Sequence, residues 1–165
     1  ESLAEDDQWQ EFLKLSWYDN WGTPNTTYPS PPNFVQGTSE RLFVLNAFIK
    51  KAGLTEIMHS ENDVMWYDRI DQVIPTCKKL FKGIAVTPMS DIDITCASLY
   101  VNNSNGLAEA CDFMLTEMAT GAQAVRQKYG MPMVHEMSLL REYARQNDVD
   151  KIDFLPTMPK SGHIK

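Results

Sequence analysis

The sequence predicts an all-α fold, in which residues 1–165 form a single bundle of six or seven helices. Along most of the chain, apolar residues recur at i, i+3, i+4 and i+7, the spacing that places them on one face of a helix. Strand-like patterns are scarce, because only IAVTP at residues 84–88 is rich in β-branched residues. A single short strand cannot form a stable sheet, so the helical pattern decides the fold class.

The first two helices are predicted from an N-terminal capping residue followed by an apolar stripe. In AEDDQWQEFLKLSWYDNW, Asp6 or Asp7 supplies the cap and Phe12 lies on the stripe. Aspartate is favoured there because its carboxylate accepts hydrogen bonds from unpaired backbone N–H groups. The second helix is predicted to begin near residue 38 or 39 and to end at Gly53, where glycine suits a left-handed cap.

Four further elements follow the same rules. Capping patterns at residues 60–63 and 90–93 predict helices in VMWYDRIDQVI and ITCASLYV, and Pro75 is expected to end the first and to open a short helix, PTCKKLFKG. GLAEACDFMLTEMATGAQAVRQKYG is the longest predicted helix, and a last one begins at Pro132 and ends near Asn147. The residues predicted to be buried on these stripes include Leu42, Phe48, Met114, Met118 and Leu140.

Two proline-rich segments are predicted to be extended: an N-terminal arm, residues 22–37, and a C-terminal tail, residues 147–165. Proline removes a backbone donor and disfavours helical geometry in the residue before it. Unstructured connections of this length are usually functional or disordered. Both segments carry apolar side chains that can dock on their own core or on neighbouring subunits, and the predicted interface residues are Tyr28, Phe34, Val35, Phe154, Leu155 and Met158.

The charge distribution constrains the partners. The formal net charge of the chain is −7. Residues 1–22 contain six acidic residues and one lysine and so carry −5, which leaves −2 for the other residues. Net charge therefore does not indicate a nucleic-acid partner, although local phosphate contacts stay open. Lys78, Lys79 and Lys82 form the one tight basic cluster and are a candidate contact for an anion or a partner. No apolar run approaches the ~18 residues that a membrane span needs.

Catalytic and metal-site patterns are scarce. The chain has no GxSxG, GxGxxG or GxxxxGK[ST] pattern. A di-iron site needs two ExxH pairs, whereas the chain has one, Glu56 to His59. Three cysteines without a CxxC pair predict buried, reduced thiols and an intracellular, reducing compartment. We therefore predict no metal, no cofactor and no catalytic set.

These observations favour a non-enzymatic structural or interaction subunit, held by its arms in an oligomer, a filament or a larger complex. A helical coat or nucleocapsid-type subunit is one form of this hypothesis. The alternative is a helical-bundle enzyme, or a carrier of a small ligand or metal, that uses Glu56, His59 and carboxylates of the long helix. A third hypothesis is a monomer whose arms cover its own core.

Overall fold

The computed structural model describes residues 3–15, 34–67, 69–90 and 93–156, and this part of the chain contains six helices and one four-stranded mixed sheet. The helices are α1 (Asp7–Leu13), α2 (Phe34–Ala52), α3 (Ile70–Leu80), α4 (Ser104–Ala119), α5 (Ala122–Tyr129) and α6 (Glu136–Gln146). The strands are β1 (Ile57–Ser60), β2 (Ile84–Pro88), β3 (Ile94–Val101) and β4 (Ile152–Phe154). The prediction of an all-α bundle is therefore wrong, and the fold combines α and β structure.

The strands lie in the order β1-β3-β2-β4. β3 pairs antiparallel with both β1 and β2, while β4 adds to β2 in parallel. The β2–β3 register shifts between Val86, opposite Leu99, and Thr87, opposite Thr95. The shift leaves residues 96–98 without partners on β2, and such a bulge bends a strand and increases its twist.

The capping pattern at residues 90–93 closes a hairpin instead of starting a helix. The Asp93 N–H donates to Ser90 Oγ at 3.1 Å, and the N–H groups of Met89 and Ser90 both donate to the Asp93 carbonyl at 3.1 Å. Short polar side chains form hydrogen bonds with backbone groups in turns as readily as at helix ends, so the same sequence pattern is compatible with both structures. ITCASLYV follows as strand β3, and the helix predicted there is wrong.

The predicted helix at VMWYDRIDQVI is also placed differently. Ser60 ends strand β1, and a turn follows in which the Val64 N–H donates to the Glu61 carbonyl at 3.1 Å. α3 begins only at Ile70 and continues through Pro75 to Leu80. Proline lacks the N–H that would bond four residues back, so α3 tolerates one missing hydrogen bond, and the predicted break at Pro75 is wrong.

The long helix is interrupted, and the last one starts later than predicted. Gly121 has φ of 89°, a value that glycine adopts without strain, and it separates α4 from α5. α6 begins at Glu136 after an N-cap by His135, whose Nδ1 accepts from the Ser138 N–H at 3.3 Å. Of the two predicted caps of α1, Asp6 and Asp7, the structure shows Asp6, whose carboxylate accepts from the Trp9 N–H at 3.0 Å.

The main core lies between one face of the sheet and the helices α1, α2, α4 and α6. Four of the five residues predicted to be buried are confirmed, namely Leu42, Met114, Met118 and Leu140. Phe48 is 47% exposed, so the prediction for this residue is wrong. Phe48 extends the apolar stripe of α2 past the edge of the core, where periodicity alone does not show that the packing has ended.

The two proline-rich segments are described only in part. Residues 34–37, at the end of the predicted N-terminal arm, form the first turn of α2, and residues 22–33 lie outside the described residues. In the C-terminal tail, residues 152–154 form β4, which is anchored by the Ile84 N–H donating to the Lys151 carbonyl at 2.9 Å. This part of the tail thus completes the sheet of its own chain, and residues 157–165 lie outside the described part.

Candidate functional site

The second face of the sheet, opposite the main core, is covered by α3. A small apolar cluster fills the space between them and consists of Cys77, Phe81, Ala85 and Tyr100, with Met58, Val73 and Leu155 packed around it. The apolar residues of α3 recur at the helical spacing that turns one stripe toward the sheet. One helix of this length leaves part of the sheet surface uncovered.

Large apolar side chains are exposed around this helix. We define the α3 face as the exposed residues Met65, Trp66, Tyr67, Ile70 and Leu80. Tyr67 is 91% exposed and Met65 is 72% exposed, so neither is even half covered by the chain's own packing. Contiguous exposed apolar surface is uncommon on monomers and marks sites of interaction.

A groove of about 320 Å³ opens beside the α3 face, between α3 and the sheet. Its lining residues are Met58, Trp66, Val73, Thr76, Cys77, Leu80, Phe81, Thr87, Ser98, Leu155 and Pro156. Trp66 and Leu80 belong both to the groove and to the α3 face. The indole Nε1 of Trp66 donates to Ser60 Oγ at 2.9 Å, which holds the ring against β1. The groove is therefore apolar, with an ordered aromatic ring in its wall.

Glu56 links this region to α3 by a hydrogen-bond network. The Tyr100 hydroxyl donates to Glu56 Oε1 at 2.6 Å, and Lys78 Nζ donates to Oε2 at 2.9 Å. The bond from Tyr100 is the main cause of the lowered pKa of Glu56, and the bond from Lys78 adds to it. Burial, followed by the bond to Glu56, raises the pKa of Tyr100. Both carboxylate oxygens are thus occupied, which suits a structural anchor better than a ligand for a metal.

The predicted basic cluster is largely neutralised within the chain. Lys78 pairs with Glu56, and Lys82 pairs with Asp150 at 2.8 Å. The hydrogen bond to Asp150 raises the pKa of Lys82. Lys79 is exposed and has no ion pair within the described part of the chain. One unpaired lysine does not make a phosphate-binding surface, so the cluster provides solvated charge beside the α3 face.

His59 lies on the opposite face of the sheet from Glu56 and faces α2. It lines a shallow depression of about 540 Å³ along α2, together with Arg41 and Phe48. Burial, and then the positive charge of Arg41, lower the pKa of His59. Because Glu56 bonds to Tyr100 on the other face, the ExxH pair does not converge. Within the described ranges, no group of three or more histidine, cysteine and carboxylate side chains could hold a metal ion.

Arg41 is the centre of a second polar network, beside His59. Its guanidinium pairs with Glu61 and also with the buried carboxylate of Glu136, at 3.1 Å. The Thr38 hydroxyl donates to the other oxygen of Glu136 at 3.0 Å. A buried carboxylate is tolerated when its oxygens are bonded in this way, so the network joins α2, α6 and the end of β1.

The carboxylates of the long predicted helix are also paired within the fold. Glu109 binds Lys151 at 2.7 Å, and the mostly buried Glu117 binds Lys128 at 2.7 Å. The hydrogen bond to Glu117 is the main cause of the raised pKa of Lys128. These pairs tie α4 to α5 and to the start of β4, and the carboxylates do not converge on a common site.

His135 and Asp93 form the remaining pair that resembles catalytic chemistry. His135 Nε2 lies 3.8 Å from Asp93 Oδ1, near a cavity of about 50 Å³ that Asp93 and Ser138 help to line. The other ring nitrogen of His135 accepts the N-cap bond of α6. The Ser138 hydroxyl bonds to backbone groups, including the Met133 carbonyl at 3.3 Å, and not to the imidazole ring. The arrangement lacks the serine–histidine bond that a nucleophilic triad needs.

The three cysteines are buried free thiols. Burial raises the pKa of Cys77 and also that of Cys96, to about 12. Burial likewise raises the pKa of Cys111. Because the thiolate is the reactive form, none of these thiols is activated as a nucleophile at neutral pH.

The predicted interface residues that lie in the described part of the chain do not gather at one place. Val35 lies half-buried in the first turn of α2, and Phe34 is the first residue of that helix. Phe154 packs on the main core with its ring 4.9 Å from the Arg141 guanidinium, while Leu155 packs in the small cluster and donates its N–H to the Val86 carbonyl at 2.8 Å. The predicted interface residues outside the described part are Tyr28 and Met158. Among the predicted interface residues whose side chains the structure describes, Leu155 lines the groove described above.

Sequence reasoning did not identify the residues of the α3 face. The available signal was the run Met65-Trp66-Tyr67, since three consecutive large apolar residues cannot share one buried helix face. Comparison of the chain with protein-family models, with curated proteins and with solved structures finds no match. Among the described helices, none is long and apolar enough to cross a bilayer. The α3 face and its groove are therefore the candidate site with the most defined geometry.

Proposed function

We propose that this protein is a non-enzymatic interaction subunit that associates with a second copy of itself through the α3 face. The main observation that supports this proposal is an exposed apolar surface beside an apolar groove, formed by Met65, Trp66, Tyr67, Ile70 and Leu80. Tryptophan, tyrosine and methionine are enriched at protein interfaces, where aromatic anchors carry much of the binding energy.

The size of the apolar surface suits a reversible contact. Fully burying one large apolar side chain contributes about 1.5–3 kcal/mol. The five are exposed by between 37% (Trp66) and 91% (Tyr67), equivalent to about three fully exposed side chains per copy. Burying them on both copies would contribute roughly 9–18 kcal/mol, against an association cost of roughly 4–15 kcal/mol. The two ranges overlap, so we expect a complex that dissociates on dilution rather than a permanent one.

Local charge supports a second copy as the occupant. Residues 65–80 carry Arg69, Lys78 and Lys79 against Asp68 and Asp71, a balance of +1, whereas the whole chain carries −7. Two copies that met through residues 1–22, which carry −5, would bring like charges together. At the α3 face this repulsion is small, and both signs of charge are present on each copy.

The test is the solution mass across a dilution series, measured by light scattering. We expect a mass above the 18.8 kDa of one chain at high concentration, which falls toward 18.8 kDa on dilution. Leu80→Asp places a charge at the mouth of the groove and should shift this transition to higher concentration by at least tenfold. Phe48→Asp is the matched control, because Phe48 is also partly exposed on a helix but lies on the other side of the sheet. A single-chain mass at every concentration would overturn the proposal.

The groove also supports a second candidate function, a carrier of a compact apolar ligand. Its volume of about 320 Å³ lies at the small end of the ~300–1,000 Å³ range of ligand sites. The fluorescent probe anilinonaphthalene sulfonate would then bind with one-to-one stoichiometry, and Cys77→Trp, which fills the groove, would abolish binding. Absence of saturable binding would exclude this candidate.

A further inference from the structure

The two edges of the sheet differ in how they are protected. β4 has only three residues, Asp153 lies at its centre, and Pro156 follows it closely. Short length, charge and proline are the features that keep sheet edges from pairing with other chains. β1 is Ile57-Met58-His59-Ser60, without lysine, proline, acid or bulge, and its residues are only partly buried. The β1 edge, one residue longer than β4, therefore lacks the charge and the proline that protect β4.

The hydrogen bonds of β1 show which of its backbone groups face outward. The Glu61 N–H donates to the Ala97 carbonyl at 2.9 Å, in register with the β1–β3 pairing of His59 with Leu99. In an antiparallel pair, every second residue exchanges hydrogen bonds with its partner. His59 and Glu61 thus bond toward β3, and the N–H and C=O groups of Met58 and Ser60 point away from it. Within the described residues, no strand lies beside this edge.

The β1 edge and the α3 face are continuous. The Met58 side chain lines the groove, and Ser60 Oγ holds the indole of Trp66. A chain that pairs with β1 would therefore contact apolar side chains of the α3 face at the same time. Strand addition of this kind combines main-chain hydrogen bonds with side-chain contacts in neighbouring pockets.

We infer that β1 of one copy pairs antiparallel with β1 of a second copy, which joins the two sheets into one. This inference rests on the proposed function, because it names the contact through which self-association occurs. Outward-facing residues must meet outward-facing residues, and the register that pairs both of them on each copy places Met58 opposite Ser60 of the second copy. The two-fold axis then passes beside His59, and the two His59 residues lie directly opposite each other.

The main test compares two substitutions at Met58. Met58→Pro removes the outward N–H without touching the bonds to β3, since proline is tolerated on an edge strand when its N–H side faces solvent. Met58→Ala removes the same side chain from the groove but keeps the N–H. We expect Met58→Pro to abolish self-association by light scattering, and Met58→Ala to weaken it less than tenfold. Equal weakening by both variants, with circular dichroism unchanged, would refute strand pairing while leaving the α3 face as the interface.

A second measurement covers the case in which Met58→Pro does not fold. Directly opposed residues of a non-hydrogen-bonded pair have Cα atoms about 4.5 Å apart, within the ~4.4–6.8 Å that a disulfide spans. His59→Cys should therefore form a covalent dimer under mild oxidation, whereas Gln127→Cys, at an exposed site on α5, should not. The three native cysteines are buried and do not compete. A monomeric band for oxidised His59→Cys, at a concentration where the wild type self-associates, would overturn the inferred register.

Discussion

Gly83→Ala should destabilise the protein by displacing β4. A Cβ atom at Gly83 would lie 2.1 Å from the Lys151 carbonyl oxygen and 2.7 Å from the Asp150 carbonyl oxygen. Real Cβ atoms essentially never approach other heavy atoms within 3.0 Å, and here the obstacles are backbone atoms. The strand must therefore move by an ångström or more. Gly83 is not among the glycines with positive φ, so the effect is steric alone.

The magnitude follows from what depends on the position of β4. Displacement breaks the hydrogen bond from the Ile84 N–H to the Lys151 carbonyl, worth about 0.5–1.5 kcal/mol net. It also exposes part of the buried Ile152 side chain, whose full burial contributes about 1.5–3 kcal/mol. The expected loss in the free energy of unfolding is therefore about 2–4 kcal/mol.

Urea denaturation followed by circular dichroism measures this loss. Gly37→Ala is the matched control, because a Cβ there meets nothing within 4 Å and the residue lies inside α2. Replacing a helical glycine by alanine should stabilise by up to about 1 kcal/mol. If Gly83→Ala proves as stable as the wild type, the close approach of β4 to Gly83 is not a constraint on the fold.

Three further predictions concern the core and the titrating groups. Leu140→Ala should cost about 2–5 kcal/mol in urea denaturation, and the half-exposed Phe48→Ala should cost clearly less; equal losses would contradict the assigned core. Burial and the charge of Arg41 lower the pKa of His59, so as pH falls the unfolded chain takes up a proton at this residue before the folded chain does. The free energy of unfolding should therefore fall as pH drops through 6.5, and His59→Gln should reduce this slope. An unchanged slope in His59→Gln would show that His59 is not its source. The hydrogen bond from Tyr100 holds the pKa of Glu56 below 4.5, so this bond stabilises the fold above that pH. The difference in the free energy of unfolding between wild type and Tyr100→Phe should therefore narrow as pH falls below 4.5. A constant difference would show that the Tyr100–Glu56 hydrogen bond does not lower the pKa of Glu56.

The sequence predicted the helices with long apolar stripes but missed most of the sheet. In α2, with 19 residues, and α4, with 16 residues, the stripes continue over several turns, so periodicity identifies these helices. Strand β1 has four residues and β3 has eight, and an apolar run of four to eight residues does not distinguish strand from helix. The capping patterns at residues 60–63 and 90–93 misled for a physical reason, because the same polar side chains stabilise turns. Only pairing between distant segments decides such cases.

The candidate site depends on contacts that no local pattern contains. Glu56 bonds to Tyr100 and Lys78 because β1, β3 and α3 come together in the fold. Lys82 likewise pairs with Asp150, which is far from it in the sequence. The groove is lined by Met58, Thr87 and Leu155, which come from three separate segments of the chain. The run Met65-Trp66-Tyr67 was visible in the sequence, but its exposure follows from the loop that leads into α3 and not from composition.

Hydrogen–deuterium exchange measured across a dilution series tests the central claim most directly. If two copies meet at the α3 face and the β1 edge, amide protection should rise with protein concentration in residues 57–67 and along α3. Protection of α4 and α6, on the other side of the sheet, should stay constant. A rise in mass with concentration that is accompanied by new protection only in α4, α5 or α6 would contradict the account.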